Sequence, residues 1–157
     1  MKNKICCFAG HRDMYDTDKV FSALENKIEH LILNENVNEF WVGNYGSFDA
    51  IAAKCVRTLK NRYKDIRLTL VIPYLTKTIN DYKKQYYEDY DDILIADIPM
   101  STPAQYKILK CNEYMVKESD YIICYIKHSW GGAAKTLEYA QKHNIKIINI
   151  NDYLKKK

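Results

Sequence analysis

The chain has little with which to hold a metal. It contains no C-x-x-C pair and only four histidines in 157 residues, whereas zinc sites draw on clustered Cys and His. Neither a metal nor a cofactor is expected. No apolar run approaches the ~20 residues that cross a bilayer, so no membrane partner is expected either. With three prolines and five glycines there is no low-complexity segment, no internal repeat and no linker long enough to divide domains. One domain over residues 1–157 is the expectation, long enough for a proper core. A concentrated basic stretch is also missing. The net charge is +4, but acids and bases alternate, so direct nucleic-acid binding is not expected. Lys155-Lys156-Lys157 reads as a frayed terminus. Five cysteines, an odd number with no signal peptide ahead of them, fit a reducing cytoplasm.

What is present is alternation of two periods. Ile5 to Ala9, Phe40 to Val42, Ile66 to Ile72, Ile93 to Ile98, Tyr121 to Ile126 and Ile145 to Ile150 are short apolar runs that read as six strands. Between them apolar residues recur at helical spacing. Asp16-Thr17-Asp18 reads as a cap, followed by Val20, Phe21, Leu24, Ile28, Leu31 and Ile32. Ala50, Ala53, Val56 and Leu59 mark a second helix opened by Ser47 or Asp49. Thr78 to Tyr87 reads as a short helix under a loop. After a break at Pro99–Pro103, with Ser101 and Thr102 as candidate caps, a helix runs from about Ala104 to Lys117. Its candidate inward positions are Tyr106, Leu109, Tyr114 and Met115. The last helix runs from Gly132 to His143, and residues 151–157 read as a tail. Such alternation demands right-handed β-α-β crossovers. The expected fold is a Rossmann-like three-layer α/β/α domain with a mostly parallel sheet of about six strands.

The five glycines fall in three loops, each at the end of a strand. Gly10 leads into His11 and Arg12, which could reach a polar or anionic ligand at the sheet edge where open α/β folds bind. Gly43-Asn44-Tyr45-Gly46 closes the second strand, and Asp49 follows in the first turn of a helix. That carboxylate could accept from a ribose, order the loop, or simply complement the helix dipole. Gly131-Gly132, preceded by Ser129-Trp130, opens the last helix. Unpaired N–H groups and the positive dipole end at a helix start form an anion site. Two glycine loops at one edge could grip a phosphate or ribose from two sides.

The order F-A-G-H-R at 8–12, G-N-Y-G-S-F-D-A at 43–50, V-I-P-Y at 71–74, N-E-Y-M-V-K-E-S-D-Y-I-I at 112–123 and G-G-A-A-K-T-L-E-Y-A at 131–140 resembles the SLOG superfamily. This is the Rossmann-like group that includes DprA (Smf) and the lonely-guy phosphoribohydrolases. The chain is most similar to its YpsA-like branch. That resemblance implies a pocket for a nucleotide or nucleotide-derived small molecule, serving as a sensor or signalling site in a bacterial cytoplasm. Carried over by position, it implies ligand contacts from Gly10 and Arg12, from Gly43, Gly46 and Asp49, from Asn112, and from Gly131, Gly132 and Thr136. The alternative it implies is an N-glycosidic-bond hydrolase or transferase, with Glu138 as the catalytic carboxylate. The pattern departs in two places. The lonely-guy motif P-G-G-x-G-T-x-x-E lacks its proline and its third glycine here. The arginine usual before the position of Asn112 is Cys111, a candidate nucleophile only if a base stands beside it. The tyrosine-rich segment at 82–90 is a candidate oligomer surface or lid.

Overall fold

A computed structural model describes residues 4–14 and 16–154. The terminal Lys155-Lys156-Lys157 lies outside the described residues.

Six strands form one all-parallel sheet in the order β4-β3-β2-β1-β5-β6. They are β1 (Lys4–Gly10), β2 (Val37–Val42), β3 (Arg67–Ile72), β4 (Asp92–Ile95), β5 (Tyr121–Tyr125) and β6 (Lys146–Asn149). β1 from Ile5 onward and β5 throughout are continuous apolar runs because helices cover both their faces. Phe8, Phe40, Leu68 and Ile123 point to one face; Cys7, Trp41, Val71 and Ile122 point to the other.

The first face is covered by α1 (Thr17–Glu35), α2 (Ser47–Lys60) and the short α7 (Ile150–Leu154). Val20, Leu24, Ile28 and Leu31 make the buried stripe of α1, at the spacing of one helical face. Asn36, in the left-handed conformation, donates its N–H to Leu31 O and ends the helix. The second face is covered by α5 (Lys107–Glu118) and α6 (Gly132–Lys142). Between β3 and β4 lie α3 (Lys77–Asp81) and α4 (Lys83–Asp89), with Ile79 packed on Leu70 and Ile72.

Several local expectations are corrected. Asp16 stands at the N-cap of α1, but its side chain makes no cap bond; its backbone at φ 54 carries the turn. The fourth strand stops at Ile95, because as an edge strand it is half-exposed and a proline follows at 99. Ile150 leaves the sheet to begin α7, so the expected tail is helical through Leu154. A 3-10 turn at Ala104–Tyr106 precedes α5, with Pro103 rather than Ser101 or Thr102 at its cap position. That turn shifts the helical phase. Tyr106 is exposed, and Cys111, Met115 and Val116 are the residues that α5 buries.

The strand order reverses between β1 and its neighbour β5. The chain leaves β1 toward α1 on one face and leaves β5 toward α6 on the other. A crevice must open between the two loops at the C-terminal ends of these strands, the switch point where ligands sit in open α/β sheets.

Candidate functional site

That crevice is a cavity of about 550 Å³, within the range of small-molecule sites. Gly10, His11 and Arg12 line it from the β1 loop, and Gly131 and Gly132 from the start of α6. Tyr45, Asp49 and Asn112 also reach it, as does Trp130. Met14, Ile108, Tyr125 and Ala133 supply apolar wall.

The second glycine loop is not the opposing jaw that its sequence predicts. It lies beneath the first. Ser47 N–H, at the start of α2, donates to Arg12 O at 2.8 Å. A Cβ on Gly46 would stand 2.7 Å from Arg12 Cα, and one on Gly10 would stand 2.4 Å from the Phe48 ring. These two glycines serve close packing between the β1 loop and α2. Gly43, Asn44 and Gly46 therefore do not line the cavity. The first amide of α2 is already satisfied by protein, so only Tyr45 and Asp49 from this segment face a ligand.

Asp49 Oδ2 accepts from the Tyr45 backbone N–H at 3.1 Å and so orders the loop. Burial pushes its carboxyl up to about 6, with that amide bond pulling the other way. Burial likewise raises the Tyr45 phenol. Beneath them Cys111 is buried and its thiol points to Val71 O at 3.8 Å. Burial pushes the Cys111 thiol up to about 12, which disfavours the thiolate that a nucleophile needs.

The start of α6 is open. Gly131 stands at its N-cap with φ 93, and no side chain caps the helix. A Cβ on Gly132 would meet nothing within 4 Å. The start of this 11-residue helix, with its unpaired amides and positive dipole end, thus lines the cavity that Arg12 and Lys127 also line. Thr136 does not reach a ligand. It is buried and donates its hydroxyl to Gly132 O at 2.9 Å. Ser129 is exposed outside the lining. Glu138 is exposed and outside it as well. At about 100° per residue, six residues turn it about 120° around α6 from Gly132. The carboxylates that line the cavity are Asp13 and Asp49, so the catalytic role expected for Glu138 has no geometric support.

Three features of the site had no clear sequence signal. Lys127 lines the cavity, and its backbone N–H donates to His11 Nε2 at 2.8 Å. His11, His128 and Trp130 form a ladder of stacked rings, with centroids 4.0 and 3.9 Å apart. Finally, the Asn149 side chain clamps Ile126, accepting its N–H and donating to its carbonyl, each at 3.1 Å. This clamp ties the residue after β5 to the end of β6, just where the Lys127–Trp130 loop departs. Among the described residues, no group of three His, Cys, Asp or Glu side chains could hold a metal ion. No helix of the described residues is long and apolar enough to cross a membrane.

Comparison with known proteins places the chain. The model of the YspA SLOG family matches residues 4–153. An uncharacterized SPbeta prophage-derived protein of Bacillus subtilis, YoqJ, is 28% identical over 130 residues, covering 73% of this chain and 76% of that protein. A UPF0398 protein of Halalkalibacterium halodurans is 28% identical over 145 residues, covering 83% of this chain and 75% of that one. Among solved structures, DNA processing protein A (DprA) of Streptococcus pneumoniae superposes with a TM-score of 0.66 at 16% identity. The match covers 92% of this chain but only 49% of the pneumococcal one, so this chain spans about half of that protein's length. DNA processing protein A of Helicobacter pylori matches with a TM-score of 0.59 at 15% identity, covering 96% of this chain and 71% of that one. The Helicobacter protein is described for a single-stranded DNA binding mode. The fold therefore carries nucleic-acid binders, and the expectation against nucleic-acid binding, drawn from the lack of a basic run, is overturned. Motifs, sheet order and family match agree: the chain belongs to the YspA SLOG family.

Proposed function

We propose that the cavity binds a nucleotide or nucleotide-derived small molecule, and that the protein acts as a ligand-sensing domain. The observation that carries this reading is the uncapped start of α6, which opens into the same cavity as Arg12 and Lys127. Helix amides and two cations are suited to a phosphate. The apolar wall and Trp130 are suited to a base, and Asp49 and Asn112 to the hydroxyls of a sugar.

A thermal-shift panel of AMP, ADP-ribose, cyclic nucleotides and NAD tests it. Ligand at about 100 times its dissociation constant stabilises by ~2.7 kcal/mol, a readily measured rise in melting temperature. Arg12→Ala should weaken phosphate-bearing ligands and leave neutral nucleosides alone. No shift with any of these compounds would defeat the proposal.

A second reading takes the nucleotide as part of a single strand. It is favoured by the likeness to DNA processing protein A and by the exposed ring ladder beside two cations, the combination of stacking platform and charge that single-strand binders use. Anisotropy of a labelled oligonucleotide at several salt concentrations separates the two readings. A strand that binds through several phosphates loses affinity steeply with salt, whereas a single nucleotide does so weakly.

A further inference from the structure

We infer that Trp130 is the stacking platform for the ligand's base, with purines preferred, and that it contributes nothing to holding the phosphate. This deepens the reading of the cavity as a nucleotide site and rests on it.

Trp130 is 69% exposed although it lines the cavity. Its exposure is not that of a loose side chain. One face of the indole is covered by the His128 ring at 3.9 Å with the planes 15° apart. His128 is backed by His11 at 4.0 Å and 16°. Hydrogen bonds hold the two imidazoles of the ladder. A carbonyl can only accept, so His128 Nδ1 carries the proton it gives to Trp130 O at 2.9 Å. A backbone amide can only donate, so His11 Nε2 is the acceptor for Lys127 N–H. Both ring positions are thereby fixed to the backbone of the loop that also presents Gly131 and Gly132.

The indole thus rests on an ordered imidazole and is otherwise largely open to solvent. A large aromatic ring left to water is unfavourable, and a pre-ordered one loses little entropy when a second ring lands on it. Its place decides what lands there. Trp130 immediately precedes the N-cap residue of α6, so a phosphate on the helix amides places the rest of its nucleotide beside the indole. A bicyclic purine covers more of a bicyclic indole than a pyrimidine does, and stacking follows overlap. The sugar phosphate alone would not touch the ring.

The test compares AMP with ribose 5-phosphate by isothermal titration, on the wild type and on Trp130→Ala and Trp130→Phe. Stacking on an aromatic side chain supports a loss of about tenfold or more on truncation to alanine. AMP affinity should fall by that factor in Trp130→Ala and largely recover in Trp130→Phe, while ribose 5-phosphate binds all three proteins equally. The chain has two tryptophans, and Trp41 is buried against Tyr114. In a Trp41→Phe background the emission of Trp130 should therefore be quenched by AMP and left unchanged by ribose 5-phosphate. Equal losses for both ligands in Trp130→Ala, or no loss for AMP, would overturn the stacking role while leaving the nucleotide site intact. If neither ligand binds the wild type, and no other nucleotide does, the nucleotide reading itself falls and the stacking role with it.

Discussion

The backbone N–H of Lys127 donates to Nε2 of His11 at 2.8 Å, tying the loop after β5 to the loop after β1 across the cavity. The bond exists only while His11 is neutral at that nitrogen. Burial, with His128 and Lys127 close by, lowers the His11 pKa below its usual 6.5. Tyr125 meets the ring edge-on at 6.1 Å. Above pH 6.5 both folded and unfolded chains hold a neutral imidazole and the bond is intact. As pH falls below 6.5 the unfolded chain takes up a proton that the folded chain resists, so stability declines through that window. Two measurements follow. The His11 ring proton should titrate below 6.5 by NMR. Part of the loss in melting temperature between pH 7 and pH 5.5 should vanish in His11→Asn. A ring that titrates at or above 6.5 would show that the tie does not hold in solution.

Asp49 works in the opposite direction. Its carboxyl is raised from 3.8 to about 6 by burial. Between these values the folded state holds a proton that the unfolded state has released, so this group makes the protein less stable as pH rises from about 4 to about 6. Asp49→Asn keeps an oxygen for the Tyr45 N–H and removes the buried charge. The variant should be more stable than wild type at pH 8 by about 1–3 kcal/mol, since each pKa unit corresponds to ~1.4 kcal/mol, and nearly equal to it at pH 4. Urea melts at the two pH values check this. Equal differences at both would mean that the charge is not what burial penalises.

The thiols supply a third expectation. All five cysteines are buried and free, and burial pushes Cys7, Cys55, Cys111 and Cys124 up to about 12. Native protein should react with a thiol-directed reagent such as iodoacetamide only as fast as it opens, and all five positions should label in denaturant. Fast, selective labelling of Cys111 in the native state would contradict its assignment as a buried packing residue and reopen it as a site residue.

The fold was legible because both periods were strong. Buried strands such as Tyr121–Tyr125 are unbroken apolar runs, and α1 repeats its apolar stripe from Val20 to Leu31, about three turns. Edges were less legible, since β4 and β6 are half-exposed and their apolar runs continue past the last ladder bond. Of the site, the parts written in glycine and in the strand-loop-helix order were readable: Gly10, Arg12 and the open start of α6. What was not readable depends on packing between loops distant in sequence. Nothing in Gly43–Gly46 says that Arg12 O already occupies the first amide of α2. Nothing in the spacing of His11, His128 and Trp130 says that their rings stack. Glu138 was placed by motif count, but helical phase put it outside the cavity.

The two kinds of glycine can be told apart by mutation. Gly46 lies against backbone. A Cβ there would meet Arg12 Cα at 2.7 Å and the first carbons of its side chain at 3.1 and 3.2 Å, and the main chain of the β1 loop cannot turn aside as a flexible side-chain tip would. Gly46→Ala must push the β1 loop from α2 or break the Ser47–Arg12 bond, and overpacking of this sort costs about 1–3 kcal/mol. Gly132 faces open space and already has helical geometry at the first position of α6. Gly132→Val should leave the melting temperature within a few degrees of wild type, a shift of well under ~1 kcal/mol. Its side chain would then stand over the amides that face the cavity, so phosphate-bearing ligands should lose most of their affinity. Denaturant melts and ligand titrations on the pair give a crossed result: one variant unstable, the other stable but non-binding. If Gly132→Val binds phosphate-bearing ligands as tightly as wild type, the start of α6 is not where the anion rests, and Arg12 and Lys127 must hold it without the helix.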